Sequence, residues 1–538
     1  MNHKQLNKQG YVLDIKKITT EQHKKAIDDL TVSPKTHPDY SKGPISFPLY
    51  KIDDANLIIP RYYGIKNFGV PSKTVGLNGE KKNFKFIKQL RPNQVLIADE
   101  CIEKIKKQGG GIISLPCGSG KTIIALYIAS KLKLKTLIVV HKTFLQNQWY
   151  DRIEEFTNAK VGTIRCKKTD VEDKDIVVGM LQSISLIEYD MNIFSKFGLV
   201  IFDEIHRVPS KTFSRALHKT GAKFTVGLSA TPERPDGLTK VLNWYIGDII
   251  YKMEAQKNNK VVVKVIDYES DNKLFVEKKM WMMAKRKSVP AYMKMISNIG
   301  KMQDRNNLII EILFNILKKN NRKIIVLSGR IDHLKGLKKL LDNKISENIK
   351  EGNLEEDEFK TSCYIGEMKE YELDDAAEAD VIFASYAMAK EGLDIDDLNT
   401  LLLATPNPST NDMVQSIGRI MRKPIEQSVV MPMIIDFNDN FSNFGKWGTK
   451  RLTYYEKQEY SIEKYCGYRD KLITIEDYLI DKKITTADEI DGIDIREKYL
   501  VYKYGYDQYE LEKDMDFENT HFNLYKADLN VVLDEKID

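Results

Sequence analysis

The 538-residue chain has only five cysteines (Cys101, Cys117, Cys166, Cys363 and Cys466), scattered, odd in number and free of any Cys-x-x-Cys or Cys/His cluster. That spacing argues against a structural zinc site or a disulfide framework and suits a reducing compartment. Long apolar runs are missing as well. The opening residues Met-Asn-His-Lys-Gln-Leu-Asn-Lys-Gln-Gly hold no signal-peptide core, and no later run approaches the roughly 20 residues of a membrane span. An intracellular chain, cytoplasmic or nuclear, is the expectation. There is no repeat and no low-complexity tract. A hydrophobic share of 42% with 30% charged residues fits a folded chain rather than a disordered one, and the length fits two to four domains with ample core.

Negative charge is outnumbered outside the C-terminal part. Residues 443–538 hold 15 Lys/Arg against 22 Asp/Glu, a balance of −7 within an overall +6, so residues 1–442 carry +13. A basic body suits a polyanionic partner such as nucleic acid.

Two regions alternate short apolar runs with helical patterns, as strand–helix units of parallel sheets do. The first places strands at 112–115, 136–140, 175–180, 198–202 and 224–229; the second at 323–328, 363–366, 380–385, 400–405 and 429–436. The expected organisation is a partly β N-terminal appendage (1–84), a first α/β domain (85–253), a connector with a Lys/Met-rich leading helix (254–305), a second α/β domain (306–442) and a mainly helical extension (443–538). That extension is acidic and holds 12 of the 27 tyrosines.

Leu115 to Thr122 read Leu-Pro-Cys-Gly-Ser-Gly-Lys-Thr, between an apolar run and a helical stretch. Glycines at 118 and 120 let backbone N–H groups turn inward on a phosphate chain, with Pro116, Cys117 and Ser119 completing the loop. Lys121 adds a cation at the β/γ end, and Thr122 offers a hydroxyl to Mg²⁺. The general phosphate-loop pattern has glycine where this chain has Leu115. Asp203-Glu204-Ile205-His206 follows the apolar run 198–202, so Asp203 can hold Mg²⁺ while Glu204 takes a proton from the attacking water. An acidic pair there could equally cap a helix. Ser229-Ala230-Thr231 ends the next strand.

The order of these pieces resembles superfamily 2 helicases, and the second half supplies the matching parts. Gln415-Ser416-Ile417-Gly418-Arg419-Ile420-Met421-Arg422 resembles the sixth motif, implying that Gln415, Arg419 and Arg422 serve the γ-phosphate, where charge spreads in the transition state. Ser385 to Ile395 resembles the fifth, implying Gly392 and Asp394 near the nucleotide and Ser385 near the nucleic acid backbone. Leu90-Arg91-Pro92-Asn93-Gln94 resembles the adenine-reading Q motif, with Arg91 and Gln94 at the base. His206, Ser229 and Thr231 take the coupling role. His141, Lys142, Thr143, Gln182, Ser183 and Arg330 correspond to nucleic acid contacts, whereas Trp149 reads first as helix core.

Leu-Pro-Cys-Gly-x-Gly-Lys, Ser229-Ala-Thr-Pro-Glu-Arg-Pro-Asp-Gly237 and Glu391-Gly-Leu-Asp-Ile395 narrow the resemblance. They are similar to xeroderma pigmentosum B-type helicases and their phage and large-DNA-virus relatives, including the poxvirus transcript-release type. Leu115 belongs to that pattern, whereas Ser416 departs from its usual arginine. The resemblance covers about residues 85–440. It implies two tandem RecA-like domains that use ATP and Mg²⁺ to move on or unwind nucleic acid, DNA ahead of RNA. It also implies transcription or repair partners at the terminal extensions, and host cytoplasm or virion if the chain is viral. A translocase that never separates strands and a catalytically dead scaffold are the rival readings.

Overall fold

The computed structural model describes residues 4–35, 46–53, 55–116, 118–234, 236–253, 260–283, 286–319, 322–356, 358–366, 368–391, 395, 397–421, 430–473, 477, 479–480 and 482. It divides into two units, Met1–Ala255 and Gln256–Asp538.

The first unit is built on an eight-stranded sheet: β1 (Gly110–Ser114), β2 (Thr136–Val140), β3 (Val161–Arg165), β4 (Lys168–Asp170), β5 (Ile176–Met180), β6 (Leu199–Phe202), β7 (Phe224–Ser229) and β8 (Ile249–Lys252). The order across it is β4-β3-β5-β2-β6-β7-β1-β8. All neighbours run parallel except β3 and β4, which form an antiparallel edge. Central strands are buried on both faces, which is why the sequence shows them as unbroken apolar runs. Within them the period of two still sorts side chains between layers. Ile138, Val140, Val178 and Ile201 join one core with Ile97, Ile124 and Trp149 from helices Pro92–Gln108, Lys121–Leu132 and Thr143–Phe156. Leu137, Val139, Val177 and Val200 face the other core.

That second core contains Leu6, Tyr11, Leu13, Leu30 and Leu57. Residues 1–84 do form β-structure, a five-stranded sheet that includes Lys4–Asn7, Gly10–Asp14 and Asn56–Ile59. They are not a separate appendage, however: their apolar face closes the back of the parallel sheet. Lys8 Nζ donates to the carbonyls of Phe194 (3.1 Å) and Phe197 (2.6 Å), and Tyr245 Oη donates to Leu49 O at 3.0 Å.

The second unit carries β9 (Val262–Glu269), β10 (Lys323–Ser328), β11 (Thr361–Tyr364), β12 (Val381–Ser385), β13 (Leu398–Leu403), β14 (Met433–Asp439), β15 (Ser461–Tyr468) and β16 (Lys471–Ile473). Their order is β11-β12-β10-β13-β14-β9-β15-β16, parallel throughout except for the final β15/β16 pair. Two sequence expectations change here. The stretch assigned to a connector contains β9, an interior strand paired to β14 on one side and β15 on the other. The Lys/Met-rich leading helix begins instead as an antiparallel hairpin, Lys279–Met282 with Lys287–Pro290, followed by helices Tyr292–Ile299 and Gln303–Lys319. The first part of 443–538 also belongs to this sheet, through helix Phe444–Lys457, β15 and β16. Residues beyond 482 lie outside the described ones. Among the described residues no helix is long and apolar enough to cross a membrane.

One buried ion pair ties the unit together. Arg305 and Asp439 are both fully buried, with Nε and Nη2 of Arg305 on the two carboxylate oxygens at 2.8 and 2.9 Å. Nη1 donates to Ala404 O at 2.9 Å, and the guanidinium lies 4.9 Å from the Phe437 ring centre. The fork is therefore satisfied in the plane and covered above it. Arg305→Met alone should lower unfolding stability by about 3–5 kcal/mol because it strands the carboxylate, and Arg305→Met with Asp439→Leu should recover most of that loss. Denaturant titration of the two variants checks this; equal losses would contradict it.

His333, beside that pair, shares hydrogen bonds with Ser328 Oγ (3.0 Å) and Asn306 Oδ1 (2.9 Å). Burial, then the Arg305 charge, lowers its pKa to about 3. The unfolded chain protonates the same imidazole near pH 6.5, so between about pH 6.5 and 3 it binds more protons than the folded chain. Stability must fall as pH drops through that window. His333→Gln should flatten this acid loss in pH-dependent melting, and an unchanged slope would contradict the assignment.

Candidate nucleotide site and nucleic-acid face

The chemistry of the first unit gathers where its parallel strands end at their C-terminal edge, the usual ligand side of such sheets. Leu115 leaves β1 fully buried, its N–H bonded to Ser229 O at 3.1 Å. Gly118 and Gly120 then adopt left-handed backbone, φ 79° and 81°, and helix Lys121–Leu132 starts at once. At Gly120 the left-handed φ of 81° favours glycine, and a Cβ there would lie 2.4 Å from Gln94 Nε2 and push that amide aside. Lys121 Nζ folds back to donate to Leu115 O at 3.2 Å. A glycine-lined turn, an ammonium over it and a helix N-terminus behind it make a donor set that fits a phosphate chain. Thr122 follows in the helix's first turn, while Cys117 lies outside the described residues.

Gln94 is buried beside this loop. Its Oε1 accepts the Arg91 N–H at 3.1 Å, capping helix Pro92–Gln108, and its Nε2 donates to Ser119 O at 3.3 Å. The amide therefore joins the Q-motif turn to the phosphate loop, with one N–H and one lone pair left for a base. Arg91 is exposed.

Asp203 and Glu204 follow β6, one strand from β1 across β7. Asp203 Oδ2 accepts the Trp149 indole N–H at 2.9 Å, and Oδ1 accepts the Glu204 N–H at 3.0 Å. Trp149 is core, as its helix position suggested, yet its ring nitrogen also fixes the first carboxylate; nothing in the sequence pattern announced that bond. Glu204 has φ 47°, left-handed backbone that turns its side chain back toward His206, whose Nδ1 lies 3.1 Å from Oε2. Burial, then the neighbouring Glu204 charge, raises the Asp203 pKa. Burial works to raise Glu204 too, but the His206 hydrogen bond and the Lys121 charge prevail and lower it. The pair thus has unequal acids, the second held as a carboxylate.

His206 Nδ1 also meets Ser229 Oγ at 3.1 Å, and Ser229 Oγ accepts the Thr231 N–H at 3.2 Å. The three residues expected to couple the site form one chain. Arg234, a residue without an expected role, extends it: the guanidinium donates to His206 O and is held by Asp236, with Nε–Oδ1 at 2.9 Å. Its position within Ser-Ala-Thr-Pro-Glu-Arg was the available signal.

Among residues expected at the nucleic acid, Thr143 is exposed and Lys142 and Gln182 are partly so. Two others are buried. His141 is buried, and its field acts on Asp203 and Glu204, so it stands with the acidic pair. Ser183 is buried, with its Oγ accepting the Cys166 N–H at 2.9 Å.

In the second unit Gln415 and Ser416 are buried on helix Thr410–Ile420, and Ser416 Oγ turns inward to Asp412 O at 2.7 Å. Gln415 Oε1 has no hydrogen-bond partner among the described residues. Arg419 Nε donates to Ala389 O at 3.2 Å. Ser385 caps helix Tyr386–Glu391 through the Met388 N–H at 3.3 Å. Arg330 grips the helix after the hairpin, with Nε on Ser297 Oγ at 2.8 Å and Nη2 on Met293 O at 2.6 Å. Gly392, Asp394 and Arg422 lie outside the described residues.

Trp149→Phe removes a proton donor that favours ionised Asp203, so the Asp203 pKa rises further. The acidic limb of the ATP-turnover pH profile should move to higher pH, alongside a stability loss of about 1–2 kcal/mol. A profile unmoved would show that Trp149 acts only as core.

Two family models match the chain: "Type III restriction enzyme, res subunit" over residues 87–234 and "Helicase conserved C-terminal domain" over 304–424. The "Putative ATP-dependent RNA helicase L396" of Acanthamoeba polyphaga mimivirus is 37% identical over 464 residues, 85% of this chain and 86% of that protein. The "DNA 3'-5' translocase XPB2" of Sulfurisphaera tokodaii is 35% identical over 164 residues, 29% of this chain and 35% of that one. Among solved structures, a fragment titled as a "putative HsdR subunit of a type I restriction enzyme from Vibrio vulnificus YJ016" shares the fold, with TM-score 0.52 and 18% identity over 72% of this chain and 71% of that one. The chain belongs to the superfamily 2 helicases, in their viral, xeroderma pigmentosum B-like branch, and is a nucleic-acid-dependent ATP hydrolase.

Proposed function

We propose that the chain is an ATP-driven translocase that moves along and unwinds DNA. Lys121 and the loop Pro116–Thr122 hold the phosphates, Gln94 and Arg91 serve the adenine end, and Thr122 and Asp203 hold Mg²⁺. When bound, MgATP supplies the phosphoanhydride to be cleaved and a metal to neutralise charge on its oxygens. Glu204 accepts the proton of the attacking water, and His206, Ser229 and Thr231 pass the state of that carboxylate to the strand-end loops. From the second unit, Gln415, Arg419 and Arg422 offset the charge that develops on the phosphoryl group, with Gly392 and Asp394 at the nucleotide.

The observation that carries this reading is the acidic pair. One carboxylate is fixed by Trp149 and the other is kept ionised by His206 and Lys121, at the strand end beside a phosphate-shaped loop. A surface helix cap needs none of these partners.

DNA is favoured by the motif resemblance and by the translocase named above. RNA is the second reading, favoured by the name of the mimivirus relative, whose similarity spans far more of the chain. The contacts expected at backbone phosphates do not discriminate the polymers, so ATPase stimulation by single-stranded DNA, duplex DNA and RNA at matched salt decides between them. Stronger stimulation by DNA is expected; stimulation by RNA alone would overturn the first reading.

Glu204→Gln should reduce stimulated turnover by roughly 10²- to 10⁴-fold while ATP binding persists, and Arg419→Ala or Arg422→Ala should reduce it at least about 10²-fold. Turnover near the wild-type rate in any of the three would contradict the role given to that residue.

A further inference from the structure

Residues 278–287 read Lys-Lys-Met-Trp-Met-Met-Ala-Lys-Arg-Lys, five cations and four large apolar side chains with no acid among them. They build the hairpin of the second unit. Met280 stands opposite Val289 and Trp281 opposite Ser288, so Trp281 shares a face with Lys279 and Ser288. Val289 is buried and seats the hairpin on one side. On the other, Trp281 is 60% exposed; Met280, on the face of Val289, is still 52% exposed, and Met283, just past the strand, 81%. Trp149, by contrast, is 1% exposed. A tryptophan left in water between lysines adds nothing to a core.

The base of the hairpin is fixed. The Ala291 N–H donates to Lys278 O at 2.7 Å, and Ser442 Oγ donates to Glu277 Oε1 at 2.8 Å. Helix Tyr292–Ile299 follows directly, packs through Tyr292, Met295 and Ile299 on Phe444, and is gripped by Arg330 at the C-terminal end of β10. That places the root of the hairpin at the sheet edge from which the expected nucleic acid contacts of this unit leave. Glu277 offsets part of the Lys279 charge at 3.3 Å; Arg286 and Lys287 are exposed near the tip.

A planar aromatic flanked by cations on a rigid base matches the chemistry of a single strand, whose bases stack and whose phosphates need counter-charge. We propose that Trp281 is a stacking platform for a base of single-stranded nucleic acid, with Lys279, on the same face, and Arg286, at the turn, on the neighbouring phosphates. The assignment rests on the nucleic-acid-dependent ATPase reading above, and names a strand-gripping element outside the family motifs.

The test uses the full chain with oligo-dT and oligo-U. Strand binding should quench the exposed tryptophan, and Trp281→Ala should abolish that quench. The strand concentration giving half-maximal ATPase stimulation should rise roughly 5- to 100-fold in Trp281→Ala, with most of the loss restored in Trp281→Phe. Arg286→Ser should reduce the slope of affinity against salt. A half-saturating concentration within twofold of wild type, or a quench that survives Trp281→Ala, would overturn the proposal while leaving the ATPase reading intact. So would quenching by anionic vesicles with none by oligonucleotides. If no nucleic acid stimulates the wild-type ATPase, both readings fail together.

Discussion

Two carboxylates adjacent in the chain, turned into one recess at the end of a buried strand, repel each other and lose water; the first unit is arranged around offsetting that cost. Trp149 donates to one, His206 Nδ1 stands 3.1 Å from the other, and Lys121 supplies a charge that both feel. Lys121 and Trp149 come from different elements, so the acidic pair fixes the mutual register of the phosphate loop, helix Thr143–Phe156 and its own turn after β6. The left-handed backbone at Glu204 belongs to the same constraint, because it brings the carboxylate within reach of His206.

The compensation links chemistry to the strand-end loops. His206 Nδ1 lies 3.1 Å from both Glu204 Oε2 and Ser229 Oγ, so the carboxylate and the hydroxyl share one ring nitrogen, and the His206 carbonyl is gripped by Arg234. A change in charge at the phosphate loop that alters the demand of Glu204 on His206 must also alter what Ser229 and Arg234 hold. The second unit shows the same economy in a structural setting: the guanidinium of Arg305 is fully paired between Asp439 and Ala404 O, beneath the framework that supports helix Tyr292–Ile299 and its hairpin.

Much of this was legible in the sequence where physical chemistry is local. Unbroken apolar runs located the central strands because parallel strands are buried on both faces, and the glycines of the phosphate loop were readable because positive φ excludes most other residues. What escaped was non-local. Strand β9 was visible as a β-rich run, but its partners β14 and β15 lie far away in sequence, so Val262–Glu269 was placed in a connector rather than in the second sheet. The Lys/Met-rich segment reads as helix by composition, yet it pairs across Trp281 and Ser288 as a hairpin. Residues 1–84 looked like an appendage because sequence does not reveal that Leu6, Tyr11 and Leu13 close the back of the sheet. At the site, motif order located Asp203, Glu204, His206 and Ser229. No pattern revealed the bond from Trp149 to Asp203 or the burial of His141.

The central claim is that Glu204, His206 and Ser229 act as one connected chain between hydrolysis and the strand-end loops. A double-mutant cycle on nucleic-acid-stimulated ATP turnover, with His206→Ala, Ser229→Ala and the pair, tests it most directly. The account predicts strong coupling, with the double variant scarcely slower than the worse single one. Losses that simply multiply would show the two side chains acting independently and would contradict it.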